Sequence, residues 1–260
     1  MPRISDLSGE IRSYARGPVT RLLYLDLGSG AAGDMLLAAL LDLGAPLAAI
    51  EAAVAAVGLG DEVVLHVEER RAGAFRASRL TVEITDRARP RQVADVLAAL
   101  ADADLPDRVR DRCRETIERL AGVESRLHGV PLAQLHLHEL SAADTLTDVA
   151  GFWTACDALG IDEIHASPVN LGAGEVRFSH GRFLVPAPAT AELLRGLPVY
   201  GGDEADGELT TPTAAAIIAG AVTRFGALPA MTIERIGYAV GSRPMDPPKL
   251  LRCYVGSASN

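Results

Sequence analysis

Two histidines and three acids crowd one short stretch of the chain: His136-Leu137-His138-Glu139, followed by Asp144 and Asp148. If residues 134–138 make a short alternating strand, His136 and His138 share one face of it, because strand side chains repeat every second residue. If a helix follows, Asp144 and Asp148 lie one turn apart on one of its faces. Imidazole and carboxylate donors then converge at a strand-to-helix junction. Such a mixed nitrogen and oxygen set suits nickel, zinc, iron or manganese and lacks the thiolates of a closed structural zinc site; spacing does not choose among these metals. A plainer role stays open for Asp144, because Ser141 three residues earlier makes a capping-box pattern in which the carboxylate only bonds back to its own helix. His180, between Ser179 and Gly181, and His128, before Gly129, stand at loop or helix-end positions from which each can reach a site or face solvent.

A second motif is Gly28-Ser29-Gly30-Ala31-Ala32-Gly33, a G-x-G-x-x-G pattern after an apolar run and before a helical one. The full dinucleotide fingerprint needs a second parallel strand about 20 residues on, ending in an acid for the ribose. Here a second helix and a hairpin follow, so a nicotinamide or flavin reading lacks its context. What survives is the backbone chemistry: glycines before a helix leave free N–H groups at a positive dipole end, so Ser29, Gly30 and Gly33 can face an anionic group. The alternative is a tight turn needing positive φ, with Asp34 merely stabilising the helix start. In Glu208-Leu209-Thr210-Thr211-Pro212-Thr213, Thr211 fits an N-cap and Pro212 the first helical position, so the amides and hydroxyls around Thr211 and Thr213 can receive phosphate or carboxylate. An ordinary capped helix explains the same residues. No Ser, Thr or Cys sits in a nucleophile elbow, which argues against acyl transfer.

These motifs need a frame of alternating strands and helices. Residues 22–25 read as a buried strand, 34–43 and 46–57 as helices, and 62–68 with 79–84 as an antiparallel hairpin around Gly73. Apolar residues at three- and four-residue steps predict helices over 92–100 and 106–127, ended by Gly129 and Pro131. Beyond them come a helix at 142–159, an irregular strand at 164–171, helices at 189–195 and 212–225, and closing strands at 232–240 and 249–255. The expected fold is α/β, a mixed parallel and antiparallel sheet with flanking helices in two lobes: a flexible arm at 1–19, an N-terminal lobe at 20–130 and a second lobe at 131–260.

Composition narrows the classes. The chain has 260 residues and a formal net charge of -9, with arginines scattered rather than gathered in a stripe, so nucleic acid is not an expected partner. The most apolar stretch, 35–50, is broken by Asp42, Gly44 and Pro46 and cannot span a bilayer. The first eighteen residues are polar and do not read as a signal peptide. Three distant cysteines, Cys113, Cys156 and Cys253, form neither a metal clip nor a disulfide framework, and the cytoplasm is the expected compartment.

Taken in order, these segments resemble the nickel-pincer cofactor nickel-insertion (LarC) family. The resemblance runs through Tyr24-Leu25-Asp26, Ser29-Gly30-Ala31-Ala32-Gly33-Asp34-Met35, His128-Gly129-Val130-Pro131, His136-Leu137-His138-Glu139, Asp144 with Asp148, and Ser167-Pro168. It continues through His180-Gly181, the run from Val185 to Leu194, Pro198-Val199-Tyr200, Glu208-Leu209 with Thr211-Pro212-Thr213, and Ile236-Gly237-Tyr238. It implies insertion of nickel into a pyridinium bis-thiocarboxylate mononucleotide, giving the cofactor of lactate racemase and relatives, in a reaction dependent on CTP and on manganese or magnesium. On that resemblance His136, His138, Asp144, Asp148 and His180 are expected to hold nickel. Ser29, Gly30, Gly33, Thr211 and Thr213 are expected to hold the nucleotide, and Asp34, Glu139 and Glu208 to act in catalysis. Full-length members carry a further C-terminal domain to which CTP binding belongs; the chain ends at Asn260 without it, so a separate CTP-binding polypeptide is an expected partner. Arg87-Ala88-Arg89-Pro90-Arg91 lacks the histidines usual there, and Ser141 and Ala214 stand where glycine is usual. A non-catalytic nickel carrier or assembly scaffold is the alternative, with an NAD-dependent oxidoreductase behind it.

Overall fold

A computed structural model describes residues 19–85, 91–135, 142–178, 181–202, 207–243, 245 and 249–259. The apolar run Leu22 to Leu25 forms the middle of β1, Val19–Asp26, with all four side chains buried. The glycine turn leads into α1, Gly33–Asp42, and Pro46 precedes α2, Leu47–Ala56. β2, Val63–Ala72, and β3, Phe75–Ile84, form the expected antiparallel hairpin, in register from Val63 opposite Ile84 to Ala72 opposite Phe75. The two amphipathic patterns become α3, Val93–Asp102, opened by a Gln92/Asp95 capping box, and α4, Asp107–His128, closed by Gly129 in the left-handed region.

The strand expected over 134–138 is corrected at its start. Pro131 begins a 3-10 turn at Leu132–Gln134, and the Leu135 amide bonds back to the Leu132 carbonyl at 3.2 Å, so Gln134 is committed to a turn. His136 and His138 lie outside the described residues. The helix after them, α5, is Ala142–Ala158. Its residues from Thr145 to Trp153 are buried without a break, as a helix surrounded by other elements must be, and it packs on α1, α2, α4 and α7.

Short strands then follow: β4, Glu163–Ala166; β5, Val169–Asn170; β6, Gly172–Ala173; and a hairpin of β7, Glu175–Phe178, with β8, Gly181–Leu184. The expected strand over 164–171 breaks at Ser167-Pro168, where proline cannot donate to a ladder. Next are α6, Pro188–Leu193; β9, Val199–Tyr200; β10, Gly207–Glu208; and α7, Pro212–Ala221. The helix expected to reach 225 stops at Ala221. The Thr223 amide and hydroxyl both bond to the Ile164 carbonyl, at 2.8 and 3.1 Å, drawing β11, Arg224–Phe225, onto the sheet edge. β12, Thr232–Ala239, and β13, Leu251–Ser259, close the chain.

Seven strands make the main sheet in the order β11-β4-β1-β13-β12-β3-β2. β1 runs parallel to β4 and antiparallel to β13, so the sheet is mixed, as expected. Its strands come from both sides of Gly129, and one hydrophobic cluster joins residues from both sides. The division near residue 130 therefore does not separate two sheets. Among the described residues no helix is long and apolar enough to cross a membrane.

Candidate functional site

The starts of α1, α5 and α7 open on one cavity of about 890 Å³. Local sequence explains the convergence. Gly30, at φ 71°, lies directly on the Leu209 backbone, where any side chain would overlap the Leu209 carbonyl. Alongside it Ala31 pairs with Thr210, and the Thr211 amide donates to the Ala31 carbonyl at 3.0 Å. The turn before α1 and the turn before α7 are thus locked side by side. The Gly28 amide is taken by Asp26 Oδ1 at 3.2 Å and the Gly30 amide by the Leu27 carbonyl at 2.9 Å. Ser29 and Gly30 are not among the residues lining the cavity, whereas Gly33 and Asp34 are.

Four of the expected acids face this space: Asp34, Asp144, Asp148 and Glu208. Asp148 is 3% exposed, and its Oδ1 has no hydrogen-bond partner among the described residues. Its other oxygen fills the volume that a side chain at Gly33 would occupy. Burial, reinforced by the charges of Asp144 and Asp34, holds its proton affinity well above the ordinary carboxylate value. Burial also raises Asp144. Asp34 is pushed up to about 6 by burial, with Asp144 adding and the Met35 amide and Arg79 opposing. Glu208 is pushed up to about 7 by burial, against the Ala187 amide, the Thr190 hydroxyl at 3.4 Å and Arg243. Asp34 and Glu208, raised to about 6 and about 7, can exchange protons near neutrality, and carboxylates bind cations once ionised.

Thr211 caps α7, its hydroxyl accepting from the Ala214 amide at 3.4 Å, and Thr213 beside it is buried; both line the cavity. The structure therefore brings together Gly33, Asp34, Asp144, Asp148, Glu208, Thr211 and Thr213. His136, His138, Glu139, Ser141 and His180 lie outside the described residues, and among those described no group of three or more His, Cys, Asp or Glu side chains is placed to hold a metal ion. Sequence reasoning missed other lining residues: Arg79 on β3, Glu124 beside His128 on α4 with its Oε2 3.3 Å from His128 Nε2, and Arg177, Phe178 and Phe183 on the β7–β8 hairpin. Only the alternation in β3 hinted at any of them.

The dinucleotide pattern does not acquire its context. The neighbours of β1 are β4, from far along the chain, and the antiparallel β13, while α1 leads into α2 and a hairpin.

Residues 23–260 match the sequence model of a family described as nickel insertion protein. A putative nickel insertion protein from Geobacter metallireducens is 41% identical over 240 residues, covering 92% of this chain and 61% of the relative. A Nocardioides protein named pyridinium-3,5-bisthiocarboxylic acid mononucleotide nickel insertion protein is 44% identical over 234 residues, 90% of this chain and 59% of its own length. A Staphylococcus epidermidis protein of the same name is 39% identical over 234 residues, again 90% and 59%. The chain thus spans 59 to 61% of the length of these curated relatives. No solved structure matches it.

Proposed function

The chain belongs to the nickel insertion protein family, and from that premise we propose that it takes part in placing nickel into a pyridinium bis-thiocarboxylate mononucleotide. The observation that carries this reading is one cavity in which four acids of raised proton affinity meet the starts of α1, α5 and α7. Its volume suits a mononucleotide, since ligand sites commonly enclose roughly 300 to 1,000 Å³. The helix starts favour phosphate and thiocarboxylate, with Gly33, Thr211 and Thr213 nearest. Ser29 and Gly30 act through the turn that seats α1. Asp144 and Asp148 are proposed to receive nickel, the substrate ion, with His136, His138 and His180 supplying nitrogen donors.

Asp34, Glu139 and Glu208 are proposed to move protons. Nickel must replace hydrogen on the ring carbon to which it bonds, and acids with values of about 6 and 7 can accept that proton near neutral pH. CTP and its manganese or magnesium enter this proposal only through the family resemblance, with a separate CTP-binding polypeptide as the proposed partner.

Equilibrium dialysis with nickel tests the donor set. The variant carrying His136→Ala with His138→Ala, and separately Asp148→Asn, is expected to lose about tenfold or more in nickel affinity. Unchanged nickel binding in the double histidine variant would sink the ligand assignment.

A further inference from the structure

Phe178 and Phe183 project from one face of the β7–β8 hairpin, because Phe183 pairs with Val176 and Phe178 with Gly181. Their rings stack with centroids 4.9 Å apart and planes 4° from parallel. Both are half-buried and both line the cavity, together with Val176. Acids, arginines, helix starts, His128 and the aliphatic Leu80, Val82 and Leu127 make up much of the rest of its wall, and among the described lining residues this pair supplies the phenyl rings. A flat ring can extend such a stack, and the negative π face of phenylalanine attracts a ring that carries positive charge.

We infer that Phe178 and Phe183 form the platform on which the planar, cationic ring of a pyridinium mononucleotide lies, fixing its orientation toward the acids. The inference rests on the substrate reading above and adds the positioning residues to it. A platform of this kind recognises ring flatness and ring charge. It is indifferent to the groups attached to the ring, which the polar wall reads.

Calorimetric titration of the 260-residue chain with pyridinium-3,5-bisthiocarboxylic acid mononucleotide, and with its uncharged 1,4-dihydropyridine form, tests the platform. Phe178→Leu and Phe183→Leu are each expected to raise Kd for the cation about tenfold, and Phe→Tyr at either position by no more than about threefold. Wild-type protein is expected to bind the dihydropyridine more weakly, and the leucine changes to matter little for that form. Folded leucine variants that bind the cation as wild type does would overturn the platform. So would equal wild-type affinity for the two ring forms, a comparison that stands even where a variant does not fold. Failure of wild-type protein to bind either form overturns the substrate reading itself and the platform with it.

Discussion

Gly33 and Asp148 share one volume: the carboxylate sits where a side chain on the glycine would go. Gly33→Ala is therefore expected to destabilise the fold by about 1–3 kcal/mol through overpacking. Asp148→Ala in the same chain should recover much of that loss, and denaturant midpoints that show no recovery would count against the steric account. Protons act at the same scale. Asp34 at about 6 and Glu208 at about 7 bind protons more tightly folded than unfolded, where carboxylates titrate near 4. Folding takes up protons between those values, so stability falls as pH rises through that window, and above it the whole cost of burying the charges remains. Urea midpoints should be higher at pH 5.5 than at pH 8 because of these two acids. Asp34→Asn and Glu208→Gln should each flatten that slope; a slope unchanged in both variants would refute the assignment.

Arg91 ties the entry of α3 to the entry of β2. Its guanidinium grips Glu62 with both nitrogens, at 2.7 and 2.8 Å, and reaches the Gly58 carbonyl at 3.2 Å. Both side chains are largely buried, so Arg91→Ala removes the two-pronged pairing of a buried carboxylate and is expected to cost about 3 kcal/mol, with Glu62→Met in the same chain softening the loss. A chemical denaturation loss under about 1 kcal/mol would mean that the pair is decorative. Elements with their own periodicity were readable from sequence: α1 to α5, the β2–β3 hairpin and the two closing strands all lie close to where apolar spacing puts them. The two-residue strands β6, β9 and β10 were not, because their ladders are set by partners far along the chain. The same reason limits the site. Acids and threonines at helix starts carry local signals, so Asp34, Asp144 and Thr211 could be named in advance. Arg79, Arg177 and the phenylalanine pair reach the cavity only through the tertiary fold.

At the scale of the molecule, most secondary structure was legible but the topology was not. A strand, a glycine turn and a helix suggest a βαβ beginning, yet the strand beside β1 on one side is the chain's last. Side-chain alternation says which face is buried and nothing about which strand lies next door. The register of β1 with β13 sets Val19 opposite Ser259 and Asp26 opposite Arg252. During synthesis at roughly 5–20 residues per second, the opening strand then waits on the order of ten seconds to a minute for the neighbour that completes its hydrogen bonding. Until that neighbour emerges from the ribosome, the middle of the main sheet cannot close, and the nascent protein carries a bare ladder edge on β1, joined only at the end by one on β12.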